Sequence, residues 1–483
     1  MKRIILASVS GIALLAATPL LAANSTSEIN QGGTGNNAQS NQTNSTTKST
    51  SKIDQVGQAN NANVTQSDNG IVLNADGTVY TPSNTSEVKQ GGAGNVATVS
   101  QQQRTGRGSN VSQIDQSGAG ASGTASSGST ADVVQIGHNK SIITQTGVAS
   151  FGVVRQGEAT QAVGGNVSTI TQDASDSALI LQNTVTPPTV VGNYGGNRST
   201  VTQAAGDNAT TVVQSGLYAT STVDQRGNSD AYVEQRGESQ TSDVTQVGDD
   251  NNTGVLQRGA NGNVLVSQTG RSQRANIDQN TTGAASLAAV VQIRGSGNRG
   301  TVTQTGDSLI GAVVQAGTTN EAAVSQTGAT SLAGIAQVGT TNTAGLSQVA
   351  AGSAAGIAQY GTRNGTTVNQ QGTGNQAGVI QADVDAAAFP AALAGRFEGL
   401  AAAEQVSRNA ANVSQSGSDN RLLSLQRGND NQAFLTQTGT DGKVTSIQGG
   451  SFGLVTISQG GIGNEARVVQ AQGSSNNTAA IYQ

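Results

Sequence analysis

Residues 315–348 read QAGTTNEAAVSQTGATSLAGIAQVGTTNTAGLSQ, and Gln returns at every eleventh position of this stretch. Gln315 and Gln337 are each followed by Gly two residues later, Asn five later and Ala seven later. The unit that begins at Gln326 has Ser331 in place of the Asn, so complete and weaker units alternate. This pattern predicts an eleven-residue repeat nested in a larger period of twenty-two.

The residues before each Gln predict a short strand. Ala322, Val324 and Gln326 are two positions apart, so an extended backbone places them on one face. Val, Ile or Leu recurs near the position two residues before Gln, and the Gly that follows supplies the φ values of a tight turn. Two such strand-turn units make one flattened coil of about 22 residues. The sequence therefore predicts an all-β fold, a β-solenoid of stacked strand-turn-strand coils.

Stacked coils explain how a Gln-rich chain can bury its amides. Coils about 4.8 Å apart let each Gln or Asn donate to one neighbour and accept from the other. An unpaired buried amide costs roughly 1 to 3 kcal/mol, and a ladder satisfies both of its functions. We predict a structural ladder of Gln203, Gln214, Gln225, Gln246, Gln257, Gln268, Gln315, Asn320, Gln326, Gln337, Asn342, Gln348, Gln359, Asn364, Gln370, Asn375, Gln381, Gln426, Asn431, Gln437, Gln459, Asn464 and Gln470. The predicted turn glycines are Gly317, Gly339, Gly361, Gly372, Gly428 and Gly461.

The regularity of the repeat divides the chain. Residues 203–381 and 405–483 are predicted as regular solenoid, and residues 24–202 as irregular repeats with insertions. Residues 382–404 are Ala-rich and break the period, which indicates a further insertion. At the N-terminus, residues 1–23 combine two basic residues, an apolar run and a final Ala-Ala pair, which predicts a secretory signal peptide, with a membrane anchor as the alternative.

Composition argues against an enzyme. The chain has 11% charged residues, 65 Gly, one His and no Cys, whereas an average soluble chain is about a quarter charged. Thiol nucleophiles are ruled out, and His138 lies at a predicted turn, so we expect no catalytic site, no metal site and no cofactor. A net charge of −5 without a basic patch argues against nucleic-acid binding, and nothing indicates a small-molecule substrate.

The complete units resemble the curlin repeat family, the secreted subunits of bacterial curli fibres. The family motif is Ser, five residues, Gln, one, Gly, two, Asn, one, Ala, three, Gln. Its last five positions are matched by Gln315, Gly317, Asn320, Ala322 and Gln326. The resemblance extends from about residue 25 to residue 483, and this chain is unusually long for the family.

The resemblance implies a function and partners. The chain would be secreted through an outer-membrane curli-type channel with the help of chaperones. It would then assemble with itself, or with other curlin subunits, into an extracellular functional-amyloid fibre at the bacterial surface, a pilus-like fibre of biofilm matrix and cell adhesion. The insertions and half-matched units leave open whether it is a major subunit, a nucleator or an accessory matrix protein.

Two other functions are compatible with a solenoid. One is the monomeric stalk of a surface adhesin. The other, less favoured, is a calcium-binding β-roll, because the stretches 32–36, 91–95 and 460–464 begin like its glycine-rich nonapeptides. These stretches carry Asn where calcium needs a carboxylate, and they recur in a period of eleven instead of nine.

Two arginines are candidate gatekeepers of assembly. Arg236 and Arg258 each follow a ladder Gln and are 22 residues apart, which predicts that they stack one coil apart on one sheet. Like charges directly opposed across neighbouring strands are destabilising, so such a pair is expected to slow premature fibre growth. The alternative is a pair of solvated surface arginines.

Overall fold

The computed structural model describes residues 25–43, 48–67, 72–73, 79–80, 83–102, 109–116, 128–157, 165–173, 175–183, 196–349, 351–382, 408–471, 473 and 475–483. Every regular element in these ranges is a β-strand, which confirms the all-β prediction. In the same ranges, no helix has the length and apolar character needed to cross a membrane. The predicted signal peptide and nearly all of the Ala-rich insertion lie outside the described residues.

The chain forms two compact units, Met1–Gly248 and Asp249–Gln483. In the first unit, the described strands are β1 (Thr26–Thr34), β2 (Asn37–Thr43), β3 (Thr50–Gln58), β4 (Asn61–Ser67), β5 (Val72–Leu73), β6 (Val79–Tyr80), β7 (Thr85–Ala93), β8 (Val96–Gln102), β9 (Val111–Gln116), β10 (Thr130–Ile136), β11 (Asn139–Gln145), β12 (Phe151–Gln156), β13 (Asn166–Gln172), β14 (Ser177–Asn183), β15 (Arg198–Ala204), β16 (Ala209–Leu217), β17 (Thr220–Arg226), β18 (Ser229–Glu238) and β19 (Thr241–Val247).

In the second unit, the described strands are β20 (Asn251–Ala260), β21 (Gly262–Arg271), β22 (Arg274–Thr281), β23 (Ser286–Ser296), β24 (Arg299–Asp307), β25 (Ile310–Thr318), β26 (Glu321–Ala329), β27 (Leu332–Thr340), β28 (Thr343–Val349), β29 (Ala354–Thr362), β30 (Gly365–Gln371), β31 (Gln376–Gln381), β32 (Ala410–Ser418), β33 (Arg421–Gln426), β34 (Gln432–Thr440), β35 (Lys443–Gln448), β36 (Leu454–Gln459), β37 (Glu465–Gln470) and β38 (Thr478–Tyr482).

Each unit contains two parallel sheets, which we name by the parity of their strands. In the first unit, β1, β3 and the odd strands from β7 to β19 pair in that order as the odd sheet. The even sheet contains β2, β4 and the even strands from β8 to β18. The short β5 and β6 form a separate antiparallel pair. This arrangement is the predicted β-solenoid, with one odd and one even strand in each coil.

The second unit repeats this plan. Its odd sheet runs from β21 to β37 and its even sheet from β20 to β38. From β25 to β31 and from β24 to β30, paired residues are 22 positions apart, which matches the predicted coil length.

A thin core lies between the two sheets of each unit. In β26, Ala322, Val324 and Gln326 are each 1% exposed, whereas the intervening residues Ala323 and Ser325 face outward. The same alternation places a branched aliphatic residue two positions before Gln inside most coils. Because the period of a strand is two, the side chains between these positions reach solvent.

The predicted turn glycines occupy positions that suit only glycine. The six predicted turn glycines have φ between 88° and 129°, a region in which side chains with a Cβ are strained. At Gly339, an added Cβ would also lie 1.9 Å from the carbonyl oxygen of Gly361 on the next coil. The close stacking of coils therefore excludes a larger residue at this turn.

Candidate assembly site

Glutamine side chains form continuous hydrogen-bonded ladders inside the second unit. In the odd sheet, Nε2 of Gln315 donates to Oε1 of Gln337 at 2.8 Å, and Gln337 donates to Gln359 at the same distance. The odd ladder contains Gln268, Gln292, Gln315, Gln337, Gln359, Gln381, Gln426, Gln448 and Gln470. The even ladder contains Gln257, Gln279, Gln304, Gln326, Gln348, Gln370, Gln415, Gln437, Gln459 and Gln483.

All bonds in these ladders point the same way. Each Nε2 donates to the Oε1 of the following coil, and none of the ladder bonds runs back toward the preceding coil. The orientation is fixed because Nε2 also faces a backbone carbonyl, as Gln337 does toward Glu321 at 2.9 Å. Turning the amide over would place oxygen against oxygen, so the ladder has a donor end and an acceptor end.

The first unit has the same two ladders, which sequence reasoning had predicted only from Gln203 onward. The odd ladder contains Gln31, Gln55, Gln90, Gln116, Gln145, Gln172, Gln203, Gln225 and Gln246. The even ladder contains Gln42, Gln66, Gln101, Gln135, Gln156, Gln182, Gln214 and Gln235. Of the predicted glutamines, therefore, Gln203, Gln214, Gln225 and Gln246 belong to this unit.

The predicted asparagines behave differently from the glutamines. Asn342 donates through Nδ2 to Oδ1 of Asn320 at 3.1 Å, and Asn320 donates to Asn298 in the same way, opposite in direction to the glutamine ladders. The side chain of Asn364 bonds only to backbone groups, with Nδ2 donating to the carbonyl of Tyr360. Backbone carbonyls are likewise the acceptors of Asn375, Asn431 and Asn464. Most predicted asparagines therefore tie a turn to the next coil through the backbone.

The terminal coils leave the ladders open. In the first coil, Gln31 and Gln42 donate to Gln55 and Gln66, but neither of their Oε1 atoms accepts a hydrogen bond from a described residue. At the other end, Gln470 accepts from Gln448, and its Nε2 reaches only backbone carbonyls. Gln483 likewise accepts from Gln459 and donates only to a backbone carbonyl. One end therefore presents amide acceptors and the other presents amide donors.

Inward-facing residues of the terminal coils are also uncovered. Ile53 in β3 is fully buried, whereas Ile29, its neighbour at the same position in β1, is only partly buried. At the other end, Ile481 in β38 is the register neighbour of the buried Ile457 but is itself only partly buried. Among the described residues, β1 pairs only with β3 and β38 only with β36. Within the described residues, both terminal coils therefore have a strand edge without a partner strand beside a partly exposed apolar side chain.

The two candidate gatekeeper arginines each have an acidic neighbour. Arg236, in the even sheet of the first unit, forms an ion pair with Glu234 of its own strand. Arg258, in the even sheet of the second unit, lies 3.5 Å from Asp278 of the next coil. These carboxylates offset the repulsion on which the gatekeeper hypothesis depends, and the hypothesis stays a prediction. A like-charge register pair that the sequence analysis missed is Arg274 and Arg299 in β22 and β24.

A column of buried serines in the first unit also escaped the sequence analysis. The residue four positions before Gln in the odd sheet is Ser in every described coil, and these serines are register neighbours. Eight of them are at most 1% exposed and have an Oγ atom without a hydrogen-bond partner: Ser51, Ser86, Ser112, Ser141, Ser168, Ser199, Ser221 and Ser242. The signal in the sequence was the recurring Ser-x-x-x-Gln spacing.

The single histidine and the acidic side chains are candidate metal ligands or reactive groups. His138 lies in the bend between β10 and β11, where burial lowers the pKa of its imidazole and favours the neutral form at pH 7. Within the described ranges, no three His, Asp or Glu side chains are grouped closely enough to hold a metal ion. The chemistry that this arrangement offers is hydrogen bonding at the open ends of a solenoid.

Comparison with known proteins adds no relative. The chain matched no model of a known protein family. A search of curated proteins also found no match. The curlin resemblance therefore stays a prediction from the repeat motif.

Proposed function

We propose that this chain is a secreted structural subunit that stacks end to end into a curli-like extracellular fibre. The observation that carries the proposal is the polarity of the ladders: Gln470 and Gln483 present donors, and Gln31 and Gln42 present acceptors. A second copy placed on the last coil would continue both ladders without reversing any amide. Such a contact joins two different surfaces, and because each copy is added along the stacking direction of the coils, repetition gives an open filament instead of a ring.

The register of this contact follows from the ladder. Placing Gln470 of one copy beside Gln31 of the next aligns Arg467 with Glu28, which are opposite charges, and Val468 with Ile29, which are both apolar. Opposite-charge and apolar pairs stabilise neighbouring strands. Unpaired strand edges are normally protected against this kind of association, and here we propose that they are the binding surfaces.

A charge inside the open edge is expected to block fibre growth. In the variant Ile29→Lys, the ammonium group would be buried by the incoming copy, so we expect at least a tenfold lower elongation rate. The matched control is Asn30→Lys on the same strand, because residue 30 faces outward beside Asp54. Elongation is measured on full-length protein diluted from denaturant, by sedimentation and electron microscopy. Fibre diffraction alone does not distinguish an assembled fibre from a monomeric solenoid, because both have a strand spacing of about 4.8 Å.

Two results would contradict the proposal. The first is a wild-type chain that stays a soluble monomer, as expected of an adhesin stalk. The second is equal loss of growth in both lysine variants, because this would indicate a general charge effect instead of a blocked edge.

A further inference from the structure

The outer face of the odd sheet in the second unit is apolar over four consecutive strands, β23, β25, β27 and β29. Every outward residue from five positions before the ladder Gln to one after it is apolar or glycine, except Tyr360 at the edge in β29, which carries a phenol hydroxyl and packs against Ile380 and Leu425. Six large side chains of this face are 41% to 51% exposed: Leu287, Ile293, Ile310, Val314, Leu332 and Val338. We call this surface the apolar face.

The apolar face has a ridge and a groove that run along the stacking direction. Leu287, Ile310 and Leu332 are register neighbours and form the ridge. Two residues further along the strands, Ala289, Ala312, Gly334 and Gly356 are register neighbours and form the groove. A Cβ added at Gly334 or Gly356 would meet nothing within 4 Å, so the groove is open. Straight ridges beside straight grooves are the shape that interdigitates in the dry interfaces between paired sheets.

Other outward surfaces of the described coils mix apolar residues with polar or charged ones. In the even sheet of the second unit, Thr303 and Ser325 are outward register neighbours, and Thr301 is paired with Ala323. In the odd sheet of the first unit, Glu28, Lys52 and Glu87 alternate in sign across neighbouring strands. Charged residues are the usual protection of a β surface against association, and the apolar face has none.

The area of the apolar face is relevant to whether it joins two single copies or two fibres. Four strands at about 4.8 Å and seven residues at about 3.3 Å give an area of roughly 440 Å². A stable pair of proteins buries about 800 Å² on each partner, so one contact between two single copies is too small. In a fibre the same contact repeats with every subunit. Because the subunits are linked, many weak contacts together hold two fibres more tightly than one contact holds two single copies.

We propose that the apolar face packs against the apolar face of a second copy and so joins two fibres side by side. This inference rests on the proposed end-to-end assembly, since only a fibre repeats the contact often enough. Two surfaces would then serve two steps of assembly: filaments elongate through the open coil ends, and they form bundles through the apolar face.

The test separates bundling from elongation. The variant Leu287→Thr, Ile310→Thr, Leu332→Thr removes the apolar ridge and places β-branched threonines, which suit strands, at all three positions. We expect its filaments to elongate within twofold of the wild-type rate, while the fraction of filaments in bundles, counted by electron microscopy, falls at least fivefold. The matched control is Thr301→Ser, Thr303→Ser, Thr343→Ser on the even sheet, which should bundle like wild type. The single variant Leu332→Thr gives an intermediate loss and guards against misfolding of the triple variant.

The outcomes are distinguishable. Bundling of the triple variant at the wild-type level would overturn the inference and leave the proposed function intact. Wild-type filaments that stay single, or that bundle only after lipid vesicles or another protein is added, would also overturn it. A wild-type chain that forms no filament at all would instead contradict the proposed function.

Discussion

Three Gln-to-Leu substitutions spread along one ladder will destabilise the second unit more than three in a row. Replacing Gln315, Gln337 and Gln359 removes a block and leaves two ladder groups without their Gln neighbours, Nε2 of Gln292 and Oε1 of Gln381. Replacing Gln292, Gln337 and Gln426 leaves six such groups: Nε2 of Gln268, both groups of Gln315, Oε1 of Gln359, Nε2 of Gln381 and Oε1 of Gln448.

The expected difference follows from the cost of an unpaired buried amide group. The Nε2 groups keep backbone carbonyl acceptors, and Oε1 of Gln381 keeps the hydroxyl of Thr366 as a donor. In the spread variant, however, the Oε1 atoms of Gln315, Gln359 and Gln448 lose the one donor that they have among the described residues. At about 1 kcal/mol or more for each of these three groups, the spread variant should lose about 3 kcal/mol more free energy of unfolding than the block variant. Both variants bury the same three leucines, so side-chain hydrophobicity is matched. Urea unfolding of dilute monomer, followed by circular dichroism, measures the difference. Equal stability of the two variants would show that the ladder bonds contribute little.

Replacing buried serines with alanine will stabilise the first unit. The Oγ atoms of Ser141, Ser168 and Ser199 are fully buried and have no partner, and each such group costs about 1 kcal/mol or more. The second unit carries Ala333 and Ala355 at the equivalent position of its odd sheet, so alanine fits a coil of this shape. The triple Ser-to-Ala variant should therefore gain about 3 kcal/mol in free energy of unfolding.

The same strands provide the control for the serine variant. Thr144, Thr171 and Thr202 lie on β11, β13 and β15 but face outward and are partly exposed. Changing these three to Ala should leave the stability equal or slightly lower, because threonine suits a strand surface better than alanine. A triple serine variant that is less stable than wild type would mean that the hydroxyls have partners in solution, such as buried water.

The fold was predictable because the repeat fixes both the strand and the coil. Alternation before Gln326 places Val324 inside, and Gly339 near the end of β27 has the positive φ for which the repeat supplies a glycine. Stacking of the N-terminal repeats was harder to predict, because their ladder partners are irregularly spaced. Gln31 and Gln55 are 24 residues apart, whereas Gln55 and Gln90 are 35 apart. A ladder needs only that strands return in register, so the insertions extend the connections and leave the coil unchanged.

The apolar face could not be predicted from composition, because composition does not show which face of a strand a residue occupies. Val, Ile or Leu two residues before Gln faces the core, but Leu287, Ile310 and Leu332 lie five residues before Gln and therefore face outward. The number of residues between each apolar residue and the next ladder Gln is the signal that predicts the apolar face. The direction of the amide ladders had no sequence signal, because Gln is the same residue in either orientation.

The most direct test of end-to-end assembly is disulfide cross-linking between copies, in a chain that has no Cys of its own. Continuing the ladder from Gln470 to Gln31 places Val469 beside Asn30 of the next copy, and Cα atoms of register neighbours are close enough for a disulfide. On oxidation, fibres of the double variant Asn30→Cys, Val469→Cys should give covalent polymers on a non-reducing gel, while each single variant stays monomeric. Fibres whose double variant does not cross-link, or single variants that form dimers, would contradict head-to-tail stacking in this register.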